Sequence, residues 1–157
     1  MVYKGAKKPI IVAKAAVSGG GKTTITRELC KQLTNVKVLS FDDYDFDVAN
    51  GLEDICEWVD NGADYKLWKL GPLATDIRLL LSKENQNLDY ILLDYPFAYK
   101  NEEIAQFIDY AIFIDTPLDI AMARRSLRDF ANKSIEEVCL ELNDYLTHGR
   151  AAYLEIE

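Results

Sequence analysis

Residues 15–24 read "AAVSGGGKTT" and follow directly on an apolar run near the N-terminus. Three glycines, a lysine and a hydroxyl residue make the second half of the pattern Gly-x-x-x-x-Gly-Lys-Ser/Thr. In that pattern backbone amides cradle phosphate oxygens, the lysine reaches the β and γ phosphates, and the hydroxyl ligates Mg²⁺. Ala16 stands where the pattern has its first glycine. Ala16 is expected to keep an ordinary backbone geometry, with the turn carried by Gly19, Gly20 and Gly21. Ser18, Gly19, Gly20, Gly21, Lys22, Thr23 and Thr24 would then surround the phosphates, with Thr23 on the metal. A helix that begins at this point also turns the positive end of its dipole towards the anion.

The bulk properties suit such a site. A chain of 157 residues is of a length for one domain, taken here as 1–157, and can bury a core without disulfides or structural metal. The formal net charge of −8 argues against a nucleic-acid partner, because phosphate backbones need a basic face; a small phosphorylated ligand in one basic pocket is still compatible. No apolar run reaches the roughly 18 residues that a membrane span needs, so no membrane partner is expected. The segment "MVYKGAKKPIIVAKAAV" has basic residues before apolar ones, as a signal peptide would, but Lys14 interrupts the apolar stretch and Gly-Lys-Thr follows it. It reads as a first strand. Cys30, Cys56 and Cys139 have neither metal nor redox spacing and are expected to be reduced and buried, which fits a cytoplasmic protein. Composition leaves a homo-oligomer open.

Four runs rich in Val, Ile, Leu, Phe and Tyr predict buried strands: 9–17, "VKVLSF" at 36–41, "YILLDY" at 90–95 and "YAIFID" at 110–115. Helical patterns lie between them. Ile25, Leu29 and Leu33 recur at helical spacing, as do Ile77, Leu80 and Leu81, and "LEDICEWVD" has helix propensity. Thr116 is expected to cap a helix that has Pro117 in its first turn, and Ser134 with Glu137 to form a capping box. Ile135, Val138, Cys139 and Leu142 give the last helix an apolar face. The alternation predicts an α/β fold, a three-layer α/β/α sandwich with a mostly parallel sheet of four visible strands. Ligands in such folds bind beyond the carboxyl ends of the strands, which directs attention to Ser18–Thr24, Asp42, Asp94 and the turn after Asp115.

Three further features converge there. In "VLSFDDYDFD", Asp42 is the first acid after a strand and can orient and deprotonate an acceptor hydroxyl, with Asp43 as the alternative base. Asp94 ends the third strand, where a carboxylate is costly unless paired or metal-bound, and is placed to hold the metal or its waters. In "ARRSLRDF", Arg124 and Arg128 share a helix face, with Arg125 three residues before Arg128. Converging guanidiniums stabilise charge on a transferring phosphoryl group. Tyr44, Tyr65, Trp68, Tyr95 and Phe97 are candidates for the wall of an acceptor pocket, and His148 reads as a surface helix residue.

Taken in order, "SGGGKTT", "LSFDDY" and "FIDTPLDIAMARRSLRD" resemble the uridine kinase and phosphoribulokinase-like family of P-loop kinases, over nearly the whole chain. The resemblance implies the P-loop NTPase fold and ATP-dependent phosphorylation of a small-molecule hydroxyl with Mg²⁺, GTP being the other candidate donor. It implies Asp42 as base, Asp94 as the metal-linked acid, and lid arginines among Arg124, Arg125 and Arg128 in a lid of about 124–134. It also implies an acceptor side in the irregular segment of about 43–75, and puts Tyr145 and Arg150 near donor and acceptor. This sequence departs from the family at "FANKS", where the family has Arg-Gly-Arg, and at Lys69, near where an acid is expected. The family usually has a fifth strand beside the nucleotide base, and none is evident after "AAYLEIE". Two other readings stay open on the residues: a nucleotide-binding regulatory protein that does not phosphorylate, and a kinase for an anionic acceptor such as a nucleoside monophosphate, to which Lys66 and Lys69 are suited.

Overall fold

The computed structural model describes residues 8–46, 55–82 and 87–156. The four apolar runs form one sheet: β1 (Ile10–Ala15), β2 (Val36–Ser40), β3 (Tyr90–Asp94) and β4 (Tyr110–Phe113). Their order is β2-β3-β1-β4 and every pairing is parallel. Parallel neighbours need crossovers, and helices supply them. These are α1 (Lys22–Gln32), α2 (Ile55–Asp60), α3 (Gly71–Leu81) and α4 (Glu102–Ala105); after β4 come α5 (Leu118–Asp129), α6 (Ile135–Asp144) and α7 (Arg150–Ile156). A π-helical turn over Tyr145–Gly149 joins α6 to α7. The architecture is the expected α/β one.

Register decides which side chains meet. Ile11 and Ala13 of β1 lie opposite Ile91 and Leu93 of β3, and these residues share one core with Leu73, Ala74 and Ile77 of α3 and Ile104 of α4. The alternate residues face the other way, towards α1. Lys14 of β1 and Ser40 of β2 both pair with Asp94 of β3, so the last residues of β2 and β3 and the penultimate residue of β1 share one rung. That rung is the floor of the candidate site.

The helices depart from the periodicity in three places. In α1 the buried residue is Thr26, not Ile25, because the sheet presents Lys14 beneath it and a hydroxyl can meet an ammonium where a sec-butyl group cannot. Thr116 is not a cap: Pro117 takes that position without a side-chain bond, and the Thr116 hydroxyl goes to the Gly20 carbonyl instead, at 2.9 Å. The third departure is α6. Its capping box forms as read from Ser134 and Glu137, but the helix buries none of its residues and Ile135 is 83% exposed. Cys139 is likewise exposed and Cys30 half-buried, against the expectation of burial; the Cys56 side chain lies outside the described set.

The C-terminal helices are held instead by Tyr145 and Ala152, both buried, and by polar links. Arg125 Nη1 donates to the Tyr153 hydroxyl at 2.7 Å, and the Tyr65 hydroxyl donates to the Glu155 carbonyl at 3.3 Å. Thus α7 ties the arginine helix to the segment around Tyr65. That segment is packed by aromatic rings. Trp58 stands edge-on to Tyr65 and Trp68 at 4.9 and 6.0 Å, and its indole N–H donates to the Asp64 carbonyl at 3.0 Å. Trp58 is fully buried, so Trp58→Ala leaves a large cavity among rings that cannot close over it. Urea denaturation of the variant should show a loss of about 3–5 kcal/mol.

Candidate functional site

The turn after β1 works as the sequence suggests, and the geometry explains why alanine is accepted at its start. Positive φ falls on Gly19 (+82°) and Gly21 (+101°), while Ala16 keeps a negative φ. The Ala16 methyl instead occupies space that a side chain at position 20 would need. A Cβ on Gly20 would come within 2.8 Å of it. Gly20 N–H donates to the Val17 carbonyl at 2.9 Å and closes the turn. Gly19 has a second reason to be glycine: a Cβ there would lie 2.1 Å from the Ala121 carbonyl oxygen of α5. The arginine helix therefore packs backbone-to-backbone on the loop, and the Thr116 bond to Gly20 pins the same contact from the start of that helix.

Lys22 Nζ donates to the Ala16 carbonyl at 3.0 Å, which holds it over the loop. Burial lowers its pKa; Asp94 and then Asp42 act the other way, and Arg128 reinforces the lowering. The lysine thus senses the acid at the end of β3, the acid after β2 and an arginine of α5. Thr23 Oγ1 donates to Asp94 Oδ2 at 3.2 Å, and Asp94 is buried. Arg128 Nη2 donates to Ser18 Oγ at 3.4 Å, while its Nε and Nη2 also bind the Asp129 carboxylate. Asp42 and Asp43 sit together in a single 3-10 turn, Phe41–Asp43, and both are exposed. Thr24 and Arg124 are also exposed.

The Thr23–Asp94 pair suits a hard divalent cation. It offers one hydroxyl and one carboxylate. Among the described residues there is no group of three or more His, Cys, Asp or Glu, so an ion here would take its other oxygens from phosphate and water. That is the usual habit of Mg²⁺.

Other candidates are placed away from this rung. Arg125 faces α6 and α7: besides Tyr153 it pairs with Asp129 at 3.6 Å and Glu141 at 3.8 Å. Tyr145 is buried with its ring 5.5 Å from Tyr153, and Arg150 is exposed at the start of α7. Tyr44 donates to Asp76 Oδ2 at 2.8 Å. Tyr95, directly after Asp94, is fully buried against Phe41 and Phe97 at 6.0 and 5.5 Å. The Tyr95 hydroxyl and the Trp68 indole N–H are buried without a hydrogen-bond partner among the described residues. Lys66 pairs with Glu102 at 3.3 Å, and Lys69 donates to the Lys66 carbonyl at 3.3 Å. His148 is exposed beside Asp144.

Two participants escape the motif reading. Thr116 looks like a helix cap in sequence and only the fold brings it to Gly20. Lys14 does leave a signal, a lysine inside an apolar strand, but its partners come from α1 and β3.

No family model matches the chain. The uridine kinase of Ureaplasma parvum serovar 3 is 29% identical over 160 residues, covering 84% of this chain and 75% of that protein. The uridine kinase of Oceanobacillus iheyensis is 22% identical, covering 95% of this chain and 80% of its own length. Two solved structures share the fold. A possible uridine kinase from Bacillus stearothermophilus superposes with a TM-score of 0.51 at 19% identity, over 90% of this chain and 86% of that one. A chain of the Pnkp1/Rnl/Hen1 RNA repair complex gives a TM-score of 0.55 at 14% identity; it is covered over 98% of this chain but only 47% of its own length, so this chain spans about half of it.

The loop geometry makes one outcome specific. Because φ at position 16 is negative, Ala16→Gly should leave nucleotide affinity within about twofold and should cost about 0.5–1 kcal/mol of stability through added freedom in the unfolded chain. Isothermal titration with ATP and thermal melting check the two halves separately.

Proposed function

We propose that this uridine-kinase-like chain transfers the γ-phosphoryl group of ATP to a hydroxyl of a small, nucleoside-like acceptor. The observation that carries the reading is the convergence on one glycine loop of Lys22, bonded to the Ala16 carbonyl, of the Thr23–Asp94 pair and of Arg128, bonded to Ser18, with Asp42 in the turn that follows β2. A phosphate-holding lysine, an acid for the acceptor and an arginine for the transferring group are the parts that in-line phosphoryl transfer uses.

The roles follow from the contacts. The amides of Ser18–Thr24 and the α1 dipole bind the phosphate chain. Lys22 exchanges the Ala16 carbonyl for a phosphate oxygen, which costs one hydrogen bond and gains a charge-assisted one. Arg128 already reaches Ser18 on the loop and swings from Asp129 to the γ-phosphoryl oxygens, with Arg124 free to join it. Asp42, exposed at the end of β2, accepts the proton of the attacking hydroxyl; Asp43 shares its turn and is the second candidate. Thr23 and Asp94 would hold Mg²⁺, which supplies charge neutralisation on the phosphate oxygens. On the acceptor side, the Trp68 N–H and Tyr95 O–H are buried among the aromatic rings without a hydrogen-bond partner among the described residues. Arg125 is assigned to the scaffold, because three groups from α5, α6 and α7 already engage it.

The test is phosphoryl transfer from labelled ATP with Mg²⁺ across nucleosides, sugars and nucleoside monophosphates. Asp42→Asn should lower turnover by about 10²–10⁴-fold, the range of a lost general base, with ATP binding retained. Lys22→Ala should weaken ATP binding by about tenfold or more, as expected for a charged hydrogen bond. Binding of ATP with no acceptor phosphorylated, and no effect of Asp42→Asn on any nucleotide-dependent property, would favour a regulatory role instead.

A further inference from the structure

Lys14 is a charged side chain that the proposed transfer does not use, and it is 0% exposed. It lies on β1 in register with Asp94 on β3, and parallel neighbours are spaced by about 4.8 Å. Register partners project to the same face, here the face covered by α1. Its Nζ donates to Thr26 Oγ1, and that hydroxyl donates in turn to the Lys22 carbonyl at 2.8 Å. Burial lowers the ammonium's pKa, with Asp94 the largest opposing influence. A lysine is seldom buried without a partner, and the carboxylate in register with it is the acid already linked to Thr23.

We infer that Lys14 is the resident counter-ion of Asp94, a positioning residue that neutralises the carboxylate while the phosphate loop is empty, so that a divalent cation binds only together with incoming phosphates. The inference rests on the phosphate-loop reading of residues 15–24 and goes beyond the kinase proposal. Its physical basis is the placement of two lysine side chains, Lys14 in register with Asp94 and Lys22 on the adjoining loop, around one buried acid. With Lys14 beneath it and Lys22 beside it, Asp94 presents little net negative charge to a metal ion. Phosphate oxygens restore that charge when nucleotide arrives. The chain through Thr26 to the Lys22 carbonyl also makes Lys14 a brace for the first turn of α1, where Thr23 is held.

The discriminating measurement is Mn²⁺ binding to the nucleotide-free protein, read by electron paramagnetic resonance of free Mn²⁺. Wild type should bind weakly, and Lys14→Met should bind roughly tenfold more tightly, since removing a unit charge at this range is worth about one decade or more. Adding Asp94→Asn to Lys14→Met should abolish the gain. A brace without an electrostatic role would give the opposite sign, because a loosened α1 holds metal less well. Circular dichroism reports whether Lys14→Met is folded, and Lys14→Gln offers a neutral variant that keeps a polar bond to Thr26. Unchanged or weaker Mn²⁺ binding in the folded variants overturns the inference. So does tight, Asp94-dependent Mn²⁺ binding by the wild type alone, which needs no Lys14 variant to fold. Titration of ATP without divalent metal is run beside it: failure there strikes the phosphate-loop reading, while the Mn²⁺ result bears on Lys14 alone.

Discussion

The backbone of α5 rests on the glycine loop at a distance that admits no side chain at position 19. This contact is the constraint from which much of the site follows. It sets how far the arginine helix stands from the glycine loop, and with Thr116 bonded to Gly20 it fixes the start of that helix to the loop. Arg128 can then reach Ser18 while Arg125, three residues before it, is turned towards Tyr153 and Glu141. One steric fact thereby separates the arginine that reaches the glycine loop from the arginine that holds the C-terminal helices.

The same economy appears at the end of the sheet. Parallel register brings Lys14, Asp94 and Ser40 onto one rung, and α1 then sets Thr23 against Asp94 and Thr26 against Lys14. A buried carboxylate and a buried ammonium are each costly alone, and packing them on adjacent strands offsets part of that cost. Polar groups that would be defects in an ordinary core are concentrated at the carboxyl ends of the strands, beside the glycine loop.

On the opposite face the chain is conventional in its physics. Aliphatic residues of β1 and β3 meet α3, and the aromatic rings around Phe97 fill the space between the sheet and the 55–68 region. Elsewhere apolar residues stay exposed among the described residues: Ile135 and Leu140 of α6 and Tyr110 and Ile112 of β4 are all open to solvent. Helix formation over 135–144 needed only the capping box and propensity, so the pattern was legible there even though its burial was not.

What the sequence determined by itself is local or strictly periodic. The four strands, the glycine turn with its lysine and hydroxyl, and the Ser134–Glu137 cap depend on residues close in the chain, and each is read correctly from spacing. The position of Asp94 is also legible, because an acid that closes an apolar run falls at the end of its strand. Tertiary structure decided the rest. Thr116 bonds to Gly20, ninety-six residues away, rather than capping its own helix. Arg125 and Arg128 part company through contacts with elements that meet only after folding. Thr26 replaces Ile25 as the inward residue of α1 because Lys14 lies beneath it. These choices turn on which groups the fold brings within hydrogen-bond reach, a condition that no periodicity along the chain encodes.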